Sequence, residues 1–157
     1  MKNNNSKELI VPKIKDGTVI DHLPARSALS ILKLLGIGRS FDNTVSVVMN
    51  VSSKSEKCKD IVKIQNRVLT EKETGKIALV APKATVNIIK NYDVVKKRRV
   101  EVPKEILNMI KCANPNCITN QNEPILPIFK VEKNNPILLR CKFCERVMDR
   151  ELIEQQF

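Results

Sequence analysis

The chain has 157 residues, of which 42% are hydrophobic and 29% are charged, so we expect a folded, globular protein rather than a disordered one. No stretch approaches the roughly 18 apolar residues of a membrane span, and the first residues lack the apolar core of a signal peptide. We therefore expect a cytoplasmic protein that does not contact a membrane.

The charge is divided unevenly along the chain. Residues 1–100 hold 20 basic and 9 acidic side chains and so carry the whole net charge of +11, whereas residues 101–157 hold 8 of each. This partition predicts two modules, the first of which faces an anionic ligand, although a basic surface also serves solubility alone. With four Phe, one Tyr and no Trp, a base-stacking platform is disfavoured, and no glycine-rich phosphate loop occurs.

The first two predicted elements are a strand and a helix. A glycine followed by a β-branched run predicts a strand over residues 17–22. Pro24 is expected to open a helix, because proline suits a first helical turn, and Gly36 is expected to end it. Apolar residues at spacings of three and four between these two positions give that helix one buried stripe.

Two alternating runs follow and predict two further strands. Residues 44–51 place Val45, Val47, Met49 and Val51 on one face. Residues 59–69 place Val62, Ile64 and Val68 inward, with Lys59, Ile61, Lys63, Gln65 and Arg67 on the other face.

The remaining N-terminal elements complete a recognisable order. Thr70 and Glu73 have the spacing of a capping box and predict a helix start, while residues 77–81 either end that helix or form a strand. Residues 85–95 are expected to be extended. The order β-α-β-β-α-β is the ferredoxin-like arrangement, in which two helices cover one face of the sheet and leave the other for a ligand or a second copy.

Lys59 and Lys63 would lie on one strand face, roughly 13 Å apart. Together with the basic run at 96–99 they could hold a polyphosphate as point charges, without a glycine loop. On spacing alone, a solvated strand face is the simpler interpretation of the lysine pair.

The C-terminal residues carry the most specific pattern. A hinge near Pro103 and a short helix over 103–111 precede two close cysteine pairs separated by 23 residues. Such spacing predicts a tetrahedral Zn(Cys)₄ site, and a reducing compartment disfavours the alternative of disulfides. Because four thiolates fill the coordination shell, the zinc would be structural; the ligands would be Cys112, Cys117, Cys141 and Cys144.

An enzyme is disfavoured, because the other reactive residues are isolated. Cys58 has no histidine nearby in sequence, and His22 is the sole histidine of the chain. On a regular strand, Asp21 and His22 would point to opposite faces, which spoils a simple acid–base pair.

A zinc-ribbon nucleic-acid-binding protein is the alternative function. It would explain the net charge and the cysteines together, but it predicts basic residues around the zinc, whereas here they lie in the other half of the chain.

Several stretches resemble those of a known family. Residues 17–22, 59–64 and 81–87, with the pair Asn91-Tyr92 and the four spaced cysteines, resemble the regulatory chain of aspartate carbamoyltransferase. The resemblance implies a non-catalytic subunit in pyrimidine biosynthesis, with an allosteric domain over 1–102 and a zinc domain over 103–157. It also implies ATP as activator, CTP and UTP as inhibitors, a self-dimer, and an assembly of two catalytic trimers with three regulatory dimers.

The resemblance also assigns an effector site and places both strand lysines in it rather than on a merely solvated face. Backbone groups of Lys13 and Ile14 are expected to read the base edge, while the basic run at 96–99 is denser in charge than the family pattern. The implied effector-binding residues are Val11, Ile14, Asp21, His22, Lys59, Lys63, Asn87, Ile89, Tyr92, Val94 and Lys97.

Overall fold

The computed structural model describes residues 11–157, so the start of the predicted allosteric domain lies outside the described residues. Within that range, none of the helices combines the length and the apolarity that crossing a bilayer requires.

The N-terminal unit is an antiparallel five-stranded sheet with two helices. Its strands lie in the order β2-β3-β1-β4-β5, which contains the predicted ferredoxin-like arrangement and adds one strand at an edge. The elements are β1 Gly17–Pro24, α1 Ala28–Leu34, β2 Val45–Ser52, β3 Cys58–Gln65, α2 Glu71–Val80, β4 Thr85–Lys90 and β5 Asp93–Arg99.

Both helices cover the same face of this sheet. Ile20 of β1 pairs with Val62 and Val86 on its two neighbouring strands, and these residues form one core with the buried side chains of α1 and α2. The predicted capping box is present, because the Thr70 side chain accepts from the Glu73 N–H while Glu73 accepts from the Thr70 N–H. The helix runs through residues 77–80, which decides against a strand there. The opposite face, which we call the open face, carries no helix of residues 11–157.

The boundaries of α1 and of the last two strands differ from the prediction. Pro24 ends β1 and its carbonyl accepts a hydrogen bond from the Ser27 N–H, so the helix begins only at Ala28. Gly36, at φ +67°, follows the helix end as expected. The single extended run predicted over 85–95 is a hairpin, because Asn91 and Tyr92 both take positive φ and turn the chain.

Local irregularities also break two of the predicted alternations. Asn50 at φ +58° interrupts β2, and Val47 and Met49 are each 37% exposed. Since β3 ends at Gln65, Val68 lies beyond the strand and is 57% exposed, contrary to its predicted inward position, whereas Val62 and Ile64 are buried as predicted.

A buried carboxylate fixes three of these elements together. Asp60 of β3 is fully buried and accepts hydrogen bonds from the Ala28 N–H at 3.0 Å and the Asn50 N–H at 2.9 Å. It therefore caps the start of α1 and holds the irregular part of β2 at the same time.

The C-terminal unit is a second antiparallel sheet, with strand order β6-β7-β8-β9. The helix predicted over 103–111 is wrong, because Ile106 is buried in a strand that pairs with Phe129 rather than on a helix face. The elements are β6 Glu105–Leu107, a 3₁₀ turn Ile118–Asn120, β7 Ile128–Asn134, β8 Ile137–Cys141, β9 Val147–Asp149 and α3 Arg150–Glu154.

The two units contact each other through α2. Leu79 of this helix is fully buried in the core of the C-terminal unit, and Met109 lies against Gly75 one turn earlier. Val102 and Phe157 pack against both cores. Beside this contact an open groove of about 1260 Å³ separates α1 and α2 from the cysteine-bearing loops.

Candidate anion site and metal centre

Strand register gathers polar side chains on the open face of the N-terminal sheet. Val19 of β1 pairs with Lys63 on one side and with Asn87 on the other, and Asn87 in turn pairs with Lys97. Since directly paired residues share a face, these four side chains form one row across four strands. A second row, two residues along, contains Asp21, Thr85 and Arg99.

The first row borders a cavity of about 290 Å³, which we call the apolar cavity. The β4–β5 turn shapes it: the Tyr92 N–H donates to the Lys15 carbonyl and the Asn91 N–H donates to Asp16, which fixes the hairpin against the segment before β1. The lining residues are Lys13, Ile14, Val19, Lys63, Asn87, Ile89, Tyr92, Asp93 and Val94.

The second row, with Lys97 of the first row, borders a cavity of about 470 Å³, which we call the cationic cavity because four lysine or arginine side chains line it. The loop between β2 and β3 contributes Glu56, the one carboxylate among the described lining residues. The lining residues are His22, Ser53, Ser55, Glu56, Lys59, Lys83, Thr85, Lys97 and Arg99.

Asp21 lies beside the cationic cavity and contacts two of its lining residues, Lys59 and His22. Its carboxylate is 2.7 Å from Lys59 Nζ and accepts from the His22 N–H at 2.6 Å. Burial raises the pKa of Asp21, but these hydrogen bonds and the Lys59 charge outweigh it, so the pKa lies below its ordinary value. The group is therefore ionised at neutral pH.

His22 does not obey the regular alternation of its strand. Its φ of +57° marks an irregularity in β1, which brings its ring Nδ1 to 3.9 Å from Asp21 and to 2.6 Å from Thr85 Oγ1. The prediction that the two residues point to opposite faces is thus wrong. The ring is held at the rim of the cationic cavity, where it is positioned to donate to an anion.

Lys63 occupies the boundary between apolar and charged surroundings. Its Nζ donates to the carbonyls of Val11 at 3.3 Å and Pro12 at 3.0 Å. Burial lowers the pKa of Lys63, and the nearby Asp21 carboxylate opposes that effect in part. The lysine therefore connects the segment before β1 to the sheet at the edge of the apolar cavity.

Asn87 has a polar atom without a partner in residues 11–157, beside the apolar cavity. Its Oδ1 is buried and has no hydrogen-bond partner among the described residues. Buried polar atoms in native proteins are nearly always paired, so an acceptor left open beside a cavity indicates a donor brought by a ligand.

The structure brings most of the predicted effector-site residues together. Ile14, Lys63, Asn87, Ile89, Tyr92 and Val94 line the apolar cavity, His22, Lys59 and Lys97 line the cationic one, and Asp21 and Val11 contact Lys59 and Lys63. Their role in binding a nucleotide stays a prediction.

Other cavity residues escaped the sequence. Thr85 depends on the register of a hairpin whose turn was not recognised, and the loop residues have no sequence signal, whereas Arg99 belongs to the basic run that the sequence did single out. The residues missed are Val19, Ser53, Ser55, Glu56, Lys83, Thr85 and Asp93.

The four predicted metal ligands converge in the C-terminal unit. Their sulfur atoms all lie within 4.8 Å of one another, with 3.5 Å between Cys112 and Cys144 and 3.7 Å between Cys117 and Cys141. Four sulfurs at 2.3 Å from one tetrahedral zinc would be about 3.8 Å apart, whereas disulfide-bonded sulfurs are about 2.0 Å apart. The cluster fits one structural Zn²⁺.

The cysteine loops are held by their own polar contacts. The Asn120 side chain donates to the carbonyls of Cys112 and Asn114, both at 2.8 Å, which closes the first loop. Burial raises the pKa of Cys112 and of Cys141; it acts on Cys144 as well, but the Arg146 N–H and neighbouring donors lower the pKa of that thiol to about 6. Cys144 thus supplies a thiolate at neutral pH, and a bound zinc would supply the charge that offsets the raised pKa of Cys112 and Cys141.

Both parts of the chain match models of one protein family. Residues 9–101 match the model described as aspartate carbamoyltransferase regulatory chain, allosteric domain. Residues 104–154 match the model described as aspartate carbamoyltransferase regulatory chain, metal binding domain. Together these matches account for most of the chain.

Individual relatives are similar over nearly their whole length, and each is named aspartate carbamoyltransferase regulatory chain. The chain is 48% identical to the protein of Thermoplasma volcanium over 149 residues, covering 94% of this chain and 98% of the relative. It is 50% identical to that of Methanocella arvoryzae, covering 94% and 96%. It is 45% identical to that of Sulfolobus acidocaldarius, covering 97% and 93%.

Proposed function

The chain belongs to the family of aspartate carbamoyltransferase regulatory chains and is thus a non-catalytic subunit, and we propose that its open sheet face binds a nucleoside triphosphate effector. The observation that carries this proposal is the row of Lys63, Asn87 and Lys97, which joins an apolar cavity to a cationic one. A nucleoside triphosphate has the same polarity, with a base at one end and three phosphates at the other.

In this arrangement the apolar cavity takes the base. Ile14, Ile89 and Val94 give it apolar walls, while the open Oδ1 of Asn87 is an acceptor for a hydroxyl or amino group of the nucleoside. The backbone of residues 13–14, at the cavity edge, reads the base. We propose ATP as activator and CTP and UTP as inhibitors.

The cationic cavity takes the phosphates. Lysines act there as point charges, so no glycine loop is needed. Lys97 lies closest in strand register to the base end and Arg99 follows two residues along the same strand, while Lys59 and Lys83 extend the positive surface beyond them. His22 adds a donor at the rim.

Calorimetric titration of the zinc-loaded chain with ATP and CTP tests this proposal. Lys97→Ala should weaken both nucleotides alike, by roughly five- to tenfold, because a phosphate contact does not distinguish bases. Lys72→Ala, which removes the same charge from the exposed side of α2, is the matched control and should change neither affinity. Absence of nucleotide binding to the unaltered chain would refute the effector site.

We propose that the C-terminal unit docks on the catalytic chain of aspartate carbamoyltransferase. Each cysteine loop exposes an apolar side chain next to a zinc ligand: Ile118 follows Cys117 and is 40% exposed, and Phe143 precedes Cys144 and is 42% exposed. Exposed apolar residues on a metal-stiffened surface are typical of a protein interface.

Replacing both residues tests the docking surface. The double variant Ile118→Ser, Phe143→Ser should lose co-sedimentation with the catalytic chain while it retains one zinc per chain. Leu29→Ser, at an apolar residue that is 59% exposed on α1, is the control and should leave this association intact. Unchanged association of the double variant would place the docking surface elsewhere.

The assembly and the signal route belong to the same proposal. The boundary between the two domains falls between residues 102 and 103, with an allosteric domain before it and a zinc domain after it. Regulatory chains pair through their N-terminal units, where β2 and β5 are edge strands, and three such dimers join two catalytic trimers. Effector binding shifts the catalytic trimers by moving the two units about residues 102–103. A cytoplasmic location suits the five cysteines, none of which forms a disulfide.

A further inference from the structure

The cationic cavity contains an anionic side chain of its own. Glu56 lines it together with Lys83, and the Glu56 Oε1 atom is 3.3 Å from Lys83 Nζ. We propose that Glu56 is an internal competitor that occupies Lys83 until a ligand with several phosphates displaces it. This inference rests on the proposed function and concerns how the affinity of the site depends on the number of phosphates in its ligand.

The loop before β3 holds Glu56 toward the cavity. Ser53 Oγ accepts from the Ser55 N–H at 3.3 Å and the Glu56 N–H at 3.4 Å, and it lies 3.2 Å from the Ser55 hydroxyl. This serine turn fixes the backbone at Glu56. The Glu56 carboxylate therefore reaches across the cavity to Lys83, which lies just before β4. Glu56 itself is 41% exposed and is free to swing into solvent.

The four cations of the cavity are therefore not equally available. Lys59 is held by Asp21 at 2.7 Å and Lys83 by Glu56 at 3.3 Å, whereas Lys97 and Arg99 form no ion pair with any residue in the range 11–157. A ligand with one phosphate can bind Lys97 and Arg99 without displacing another side chain. A ligand with three phosphates gains the third cation only after Glu56 has left it.

The two internal pairs differ in how easily they open. Asp21 is half buried, and the His22 N–H holds it in addition to Lys59, so this pair stays in place. The Glu56–Lys83 pair is exposed and exchanges readily, since such pairs are weak in water. Glu56 thus lowers the affinity for triphosphates modestly and leaves that for monophosphates nearly unchanged.

The test compares Glu56→Gln with the unaltered full-length, zinc-loaded chain, using inorganic tripolyphosphate, ATP and AMP as probes. Glu56→Gln should bind tripolyphosphate and ATP roughly threefold to tenfold more tightly, because the like charge and the competition for Lys83 are both removed. AMP affinity should change less than twofold. Glu71→Gln, on the opposite face of the sheet and 94% exposed, removes the same charge and should change no affinity.

The possible outcomes separate the two proposals. If the unaltered chain binds ATP but Glu56→Gln binds it no more tightly, the competitor role is refuted and the effector site stands. If AMP tightens as much as ATP, Glu56 acts as a general repulsive charge and the selection by phosphate number is refuted. If the unaltered chain binds neither ATP nor tripolyphosphate, the proposed function fails and the inference fails with it.

Discussion

Glu73 stabilises the start of α2 from two sides. It accepts a hydrogen bond from the Thr70 N–H at 2.8 Å and forms an ion pair with Arg67, whose guanidinium also donates to the Leu35 carbonyl at the end of α1. Burial raises the pKa of Glu73, but these hydrogen bonds and the Arg67 charge outweigh it, so the pKa lies below its ordinary value of 4.5.

This shift predicts a pH-dependent contribution to stability. Because the pKa of Glu73 is lower in the folded state, its contribution is fully present above the ordinary pKa of 4.5. It is lost as the pH falls through the folded-state pKa. Glu73→Gln should therefore cost about 1 to 2 kcal/mol in the free energy of unfolding at pH 7, and the difference from wild type should shrink below about pH 4.5. Urea unfolding across this pH range measures it.

The control for this prediction is Glu101→Gln, at an exposed position of the linker between the units. Its difference from wild type should stay small and vary little with pH. A Glu73→Gln difference that is constant from pH 7 to pH 3 would show that the Arg67 contact does not depend on the charge of Glu73.

At the level of elements, α2 is the helix that both units share. Ile77, Ala78 and Val80 face the N-terminal core, while Leu79 enters the C-terminal core. Gly75, one turn before Leu79, is the weak point of this helix, because glycine costs conformational entropy in a helix interior. A Cβ at this position would lie 3.4 Å from Met109 Cε, an ordinary van der Waals contact with a flexible side chain.

We therefore predict that Gly75→Ala stabilises the chain by about 0.5 to 1 kcal/mol, measured from the urea midpoint of the zinc-loaded protein. Gly17→Ala is the contrasting variant: Gly17 has φ +140°, and its Cβ would lie 2.1 Å from the Ile64 carbonyl oxygen, so it should destabilise. A loss of stability in Gly75→Ala would show that Met109 cannot yield at the interface between the units.

Elements with a chemical marker at their ends could be predicted from the sequence. The capping box of Thr70 and Glu73 located α2, and Gly36 located the end of α1. Strand β6 could not be predicted, because residues 103–111 carry apolar residues at helical spacing and only the pairing of Ile106 with Phe129 decides their structure. Tertiary pairing there overrides the local pattern.

The candidate site was predictable to a similar degree. Spacing alone identified the four cysteines, because a metal fixes the distance between its ligands. The proposed effector residues followed from family resemblance, and strand pairing explains why Asn87 and Lys97 lie together. Glu56 could not be found in advance, since its position depends on a turn made by serine hydroxyls rather than on strand register.

For the whole molecule, the two separate cores predict a divided response to metal loss. The C-terminal core is small and includes three of the metal ligands, so its folding should depend on zinc. The N-terminal core contains none of the metal ligands and should persist, apart from the exposure of Leu79.

Chelation of zinc should therefore collapse the amide resonances of residues 104–154 in a ¹⁵N correlation spectrum and leave those of β1 to β5 dispersed. ATP affinity should change less than about threefold, because binding and metal sites lie in different units, and association with the catalytic chain should be lost. Readdition of zinc is the control and should restore both the dispersed resonances and the association with the catalytic chain. Dispersed resonances for 104–154 without metal would contradict this account.

The most direct test of the account as a whole is the activity of a holoenzyme reconstituted from this chain and its catalytic partner. The concentration of aspartate that gives half-maximal velocity should change when ATP or CTP is added to the wild-type assembly. In an assembly built with Lys97→Ala, the same change should require roughly five- to tenfold more nucleotide. An assembly that ignores nucleotides, or one whose response is the same with and without Lys97, would contradict the account.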